Sequence, residues 1–188
     1  MAAINIHLEW PESAVTLPET WEETNPQAKS NTYRLLRVLQ RYQIKATFYV
    51  LGHIAKHDPE LIQIIHKQGH QIGSHGMWHR HGEREGDISY HVAAWHIYTA
   101  LEAKVSGPYP YCSPFWDSTP RPGCSGGVFF RTLPYALLKQ QIRHYNSIYL
   151  HPHDMAPSAY GPWRRHFFFT KPWERLERLL NEKGLFHD

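Results

Sequence analysis

Residues 46–79 read ATFYVLGHIAKHDPELIQIIHKQGHQIGSHGMWH, and this stretch decides the fold. Ala46 to Leu51 is a run of β-branched and aromatic residues ended by Gly52, the composition of a buried strand. Asp58 and Pro59 follow, a helix cap and a first helical residue. Leu61, Ile62, Ile64 and Ile65 supply that helix with an apolar face, and Gly69 stops it. Gln71 to Ser74 then forms a short second strand that delivers His75. Strand, helix and strand in so short a span predict a parallel crossover unit.

The pattern continues outward in both directions. Toward the N-terminus, Ile4 to Leu8 is a first buried strand bounded by Trp10 and Pro11. Residues 11–28 carry Pro, Glu, Thr and Asn, as a loop does. From Ser30 a helical spacing begins through Tyr33, Leu36, Val38, Leu39 and Tyr42, with Ser30 or Asn31 as its cap. Toward the C-terminus, residues 87–104 have helical character, and 107–127 are rich in Pro, Gly, Ser and Cys, as a long loop is. Ala136 to Arg143 predicts a helix, Ser147 to Leu150 a strand that delivers His151, and Trp173 to Asn181 a terminal helix before Gly184. Alternation of this kind predicts α/β architecture, and by itself fits a barrel or a doubly wound sheet equally.

Composition bounds the function. A chain of 188 residues suits a single domain over 1–188, and 41% hydrophobic against 20% charged residues is an ordinary globular balance. A net charge of +3 with scattered Lys and Arg argues against a nucleic-acid partner. No apolar run reaches the ~20 residues of a membrane span. The opening MAAINIHLEWPES has no basic and then apolar leader, which sets the expectation of a cytoplasmic protein with Cys112 and Cys124 as free thiols. Aromatics reach 14% and histidines number 15, spread along the chain rather than run together as a tag.

The sharpest local feature is His75 and His79, four apart in SHGMWH. Imidazole nitrogen is a good ligand for zinc and its neighbours, so the pair can share one metal on a tight loop. Taken alone, two surface histidines after a strand explain it as well.

Their context adds to this. ATFYVLG, a helix and GHQIGSHGMWH resemble the second motif of the polysaccharide deacetylases, the NodB-homology or carbohydrate esterase four family. GGVFFRTLPY (126–135) and IYLHPHDMAP (148–157) resemble later segments of a branch associated with exopolysaccharide loci. The resemblance implies a distorted (β/α) barrel, with fewer than eight strands admissible in a chain this short. It also implies a divalent metal, zinc first with cobalt or nickel as alternatives, held by His75 and His79 with Glu9 as third ligand. His151 becomes the general acid that protonates a leaving amine, and the substrate an N-acetylated carbohydrate. Trp10, Tyr111, Trp116 and Asp117 fall on loops that face the site in the family, as sugar contacts. Asp154, three residues after His151, is placed either to orient that imidazole or to cap a turn. The other histidines, among them His53, His57, His66, His70, His81 and His96, read as structural or solvated.

Two departures alter the expectation. His7 stands where the nearest branch carries the Asp of its first motif, with Glu9 where that branch has Glu. Residues two apart on a strand face one side, so both still address one site. The third motif's Arg is missing from YPYCSPFWD (109–117). An Arg that neutralised an Asp would only repel once the Asp is His. His7 is then the base or a ligand of a changed enzyme, or the mark of a catalytically impaired sugar-binding homologue. Relatives that open allantoin rings resemble the chain in their first-motif Glu, so a metal-free cyclic-amide hydrolase is a further alternative. An uncovered sheet edge leaves room for a homo-oligomer.

Overall fold

In a computed structural model, the structure describes residues 1–9, 26–79, 88–102, 127–156 and 171–186. The strands are β1 (Ala3–Leu8), β2 (Thr47–Val50), β3 (Gln71–Ser74) and β4 (Ser147–Leu150). The helices are α1 (Pro26–Arg41), α2 (Gly52–His57), α3 (Pro59–Lys67), α4 (Ile88–Ala100), α5 (Val128–Thr132), α6 (Tyr135–Tyr145) and α7 (Pro172–Leu180). A 3₁₀ turn over Pro152–Met155 follows β4.

The four strands form one parallel sheet in the order β3-β2-β1-β4. Ile6 lies opposite Phe48 on one side and Leu150 on the other, and Phe48 opposite Ile72, so one apolar row crosses the sheet. Ile6 and Phe48 are fully buried. β1 alternates: Ile4, Ile6 and Leu8 enter the core, while Asn5 and His7 between them take the other face of the strand. α1 lays Leu35, Leu36, Val38 and Leu39 into the same core, which also takes Leu61, Ile62 and Ile65 of α3 and Leu176, Leu179 and Leu180 of α7. Arg34 of α1 stacks over the Trp173 ring at 4.1 Å, and the Ala2 N–H donates to the Leu185 carbonyl at 2.7 Å, tying the last helix to the first strand.

Three local expectations are corrected. α1 begins at Pro26, so Ser30 and Asn31 lie inside the helix rather than at its cap, and residues 26–28 are not loop. Asn31 instead donates from Nδ2 to the Pro152 carbonyl at 2.9 Å, a tertiary bond that holds the turn after β4. Asp58 precedes α3 without capping it by its side chain, because its buried carboxylate is drawn to Lys29 Nζ at 2.8 Å. The helix expected over 87–104 closes at Ala100. The loop around Cys112 and Cys124 lies outside the described residues.

Two close approaches position the loop that bears the histidine pair. Gly52 opens α2 with no room for a side chain: a Cβ there would meet Met77 Sδ at 2.5 Å and Ala93 Cα at 2.6 Å. Its N–H donates to the Gly76 carbonyl at 2.9 Å, and the His53 N–H to the Met77 carbonyl at 3.2 Å. The loop 75–79 is thus clamped between α2 and α4.

Candidate metal and acid–base site

The ends of three of the four parallel strands meet at one place, the usual position for a site in such sheets. β1 brings His7 and Glu9, β3 brings His75 with His79 on the loop beyond it, and β4 brings His151 with Asp154 on the turn beyond it. All six were singled out in the sequence, and the fold places all six together.

Glu9 is the hub. It is buried at 4% exposure, and its Oε2 lies 2.8 Å from His79 Nε2 and 3.5 Å from His75 Nε2. Its Oε1 lies 3.6 Å from His151 Nε2. Oε2 accepts no aligned hydrogen bond among the described residues. One donor atom from each of Glu9, His75 and His79 lies within 4.8 Å of the other two. Ligands about 2.1 Å from a tetrahedral ion sit roughly 3.4 Å apart, close to the Glu9–His75 spacing. One carboxylate and two imidazoles also match the donor set of a catalytic zinc site, which keeps a fourth position open. Glu9, His75 and His79 together fit a divalent cation.

His79 reaches this point at a cost. Its φ of +58° lies in the left-handed region, which a non-glycine residue occupies with strain of order 1 kcal/mol. Such strain persists where surrounding contacts demand it, and the Glu9 contact at 2.8 Å is one of them.

His151 is held by a second carboxylate. Asp154 Oδ2 lies 2.6 Å from His151 Nδ1, within reach to orient that ring. The Nδ1–H then donates to Asp154, and Nε2 turns toward Glu9. Burial alone would lower the His151 pKa, but Asp154 and Glu9 outweigh it and raise it. Burial likewise works to raise the Glu9 carboxyl, yet His151, His75 and His79 hold it well below the carboxylate range. His7 is pushed well below its ordinary value, first by burial and then by His75 and His151. Its ring stacks on Tyr149 at 5.2 Å, meets Tyr49 edge-on at 5.8 Å, and lies 4.6 Å from the His75 ring. The site thus holds one imidazole biased toward neutrality and one biased toward its charged form.

The turn that carries His151 and Asp154 is anchored from beneath. Buried Arg131 of α5 donates from Nη1 to the Asp154 carbonyl at 2.7 Å and the Ala156 carbonyl at 2.9 Å. Arg131 and His153 were not anticipated from the sequence. The signal for His153 was available, because HPH places a second imidazole two residues from the first. Trp10, Tyr111, Trp116 and Asp117, expected as sugar contacts, lie outside the described residues, as does His81. His70 is structural as expected: it is buried, and its Nδ1 accepts from the Ala46 N–H at 3.2 Å.

Comparison with known proteins points the same way. Residues 16–103 match the family described as polysaccharide deacetylase. The chain is similar to a peptidoglycan-N-acetylglucosamine deacetylase of Bacillus cereus, 34% identical over 30% of this chain and 26% of the relative. It is also similar to the peptidoglycan-N-acetylmuramic acid deacetylase PdaA of Bacillus subtilis, 40% identical over 26% of this chain and 18% of the relative. The matches therefore span about a quarter or less of these relatives' own length. Among solved structures, a polysaccharide deacetylase from Bacillus cereus superposes with a TM-score of 0.58 at 17% identity, covering 100% of this chain and 90% of that one. A CE4 family pseudoenzyme from Bacillus anthracis gives 0.59 at 15% identity, covering 98% and 61%. These likenesses show the fold, that of the NodB-type distorted barrels; among the described residues the four strands form an open parallel sheet with β3 and β4 at its edges.

Proposed function

We propose that the chain, which matches the polysaccharide deacetylase family over residues 16–103, is a metal-dependent hydrolase removing N-acetyl groups from an amino sugar or polysaccharide. The observation that carries this reading is the convergence of Glu9, His75 and His79 beside a separately oriented His151. A protein that only bound sugar would not need a leaving-group acid.

A divalent cation held by Glu9, His75 and His79 would polarise an acetyl carbonyl and lower the pKa of a water. The chain's own residues do the rest. His151 holds a proton on Nε2, because Asp154 fixes the ring through Nδ1 and stabilises the imidazolium. That proton goes to the departing nitrogen, so the products are acetate and a free amine. His7, kept neutral by its buried setting, has a lone pair to accept the proton of the attacking water. Tyr49 and Tyr149 hold its ring from two sides.

A second reading rests on His7 itself. An imidazole with a strongly lowered pKa is a weak base, and the fold is shared with a CE4 family pseudoenzyme, a mutant of which is described as having restored enzymatic activity. In that reading the chain keeps the fold and binds carbohydrate with impaired turnover. Acetate release from N-acetylglucosamine oligomers, with zinc or cobalt added, separates the two. The hydrolase reading expects release in the wild type that falls on the order of 10²-fold or more in His151→Ala. Oligosaccharide binding without release in the wild type favours the impaired homologue.

A further inference from the structure

Glu9 has two carboxylate oxygens, and the site just described uses only Oε2. Oε1 faces a different pair of rings. His151 Nε2 lies 3.6 Å from it, and one nitrogen of His153, one of His151 and a Glu9 oxygen all fall within 4.8 Å of one another. The His151 and His153 rings stack at 5.0 Å with only 12° between their planes, so the two imidazoles lie side by side next to Glu9. His153 is largely buried, and its Nδ1 has no hydrogen-bond partner among the described residues.

From this geometry we propose a second divalent-cation site, formed by Glu9 Oε1, His151 and His153, with the Glu9 carboxylate bridging it to the site at His75 and His79. Two imidazoles and a carboxylate oxygen form the same donor set as the first site. The Glu9–His151 separation is close to the roughly 3.4 Å edge of a tetrahedral ligand shell. Asp154 on Nδ1 of His151 supplies the carboxylate–histidine support that metal-bound imidazoles commonly have. The second site binds more weakly, because Glu9 is shared and its charge is already engaged. A cation there occupies Nε2 of His151, the atom that otherwise carries the acid proton. The site is therefore inhibitory, and it fills when the metal is in excess.

This inference rests on the reading of Glu9, His75 and His79 as the first site, and the test keeps the two apart. Metal-stripped full chain is titrated with zinc chloride by calorimetry, with bound zinc counted by mass spectrometry. The wild type is expected to show a tight event and a weaker one, reaching two ions per chain. His153→Leu is expected to weaken the second event at least about tenfold and spare the first. His75→Ala/His79→Ala is expected to remove the tight event and leave the weaker one. Circular dichroism confirms that each variant is folded. A single event in the wild type, or a weaker event that persists unchanged in His153→Leu, overturns the second site. A tight event that survives His75→Ala/His79→Ala, with the weaker one still lost in His153→Leu, sinks the first site and leaves the second standing.

Discussion

At His7 and Glu9 the chain departs from the first motif of the polysaccharide deacetylases it resembles, and the surroundings show how the departure is accommodated. Replacing a carboxylate by an imidazole would put three or more histidines around one anion. Glu9 carries that anion, and His7 meets its cost by staying neutral between Tyr149 and Tyr49. If His7 is the base, His7→Ala lowers kcat on the order of 10²-fold with little change in KM. If the chain is impaired instead, His7→Asp gains acetate release that the wild type lacks. With Asp154 Oδ2 2.6 Å from His151 Nδ1, we propose that Asp154 acts through His151 rather than on substrate. Asp154→Asn is expected to lower kcat about 10- to 100-fold with KM near the wild-type value. A variant that instead raises KM alone would show that Asp154 serves substrate binding. These residues were legible in the sequence because the motif spacing around His75, His79 and His151 survives intact. Arg131 was not, since it acts through two backbone carbonyls that no local motif announces.

Among the elements, the short strands Gln71–Ser74 and Ser147–Leu150 were read at their observed bounds, because each lies between the end of a helix and a motif histidine, His75 or His151. α2 escaped notice, since six residues give too little periodicity to detect. Ser30 and Asn31 misled as caps because cap residues inside a helix look the same in sequence, while Pro26 had already supplied a first-turn residue. The element contact with most consequence is Gly52 against Met77 and Ala93. Gly52→Ala must push the 75–79 loop or α4 aside, so it is expected to destabilise the fold by about 1–3 kcal/mol. It should also weaken zinc binding, read by thermal melts with and without metal. Wild-type zinc affinity in that variant would show that the loop geometry is not set by this contact.

Across the whole molecule, the apolar row through Ile72, Phe48, Ile6 and Leu150 joins the strand ends into one site-bearing platform. Alternation alone did not distinguish a barrel from a doubly wound sheet, and the match to solved structures does. His70 ties global stability to pH. Its folded pKa is lowered to about 4 by burial and by Lys45. Unfolded, the same ring titrates near 6.5, so between these values the unfolded chain binds the extra proton. Stability therefore falls as pH drops from about 6.5 toward 4 and then levels off for this group, by on the order of 2 kcal/mol after solvent screening. His70→Asn, which keeps an acceptor for the Ala46 N–H, is expected to flatten that acid limb in denaturant titrations. An unchanged limb would place the acid sensitivity elsewhere.

The central claim is that Glu9, His75 and His79 hold a cation that makes N-acetyl hydrolysis work. The most direct measurement is metal content by mass spectrometry on wild type and His75→Ala/His79→Ala, with acetate release from N-acetylglucosamine oligomers followed in the same samples. The account predicts metal at stoichiometric level in the wild type, lost together with acetate release in the variant. A wild type that takes up no zinc or cobalt, or one whose acetate release is unaffected by the double substitution, would contradict it.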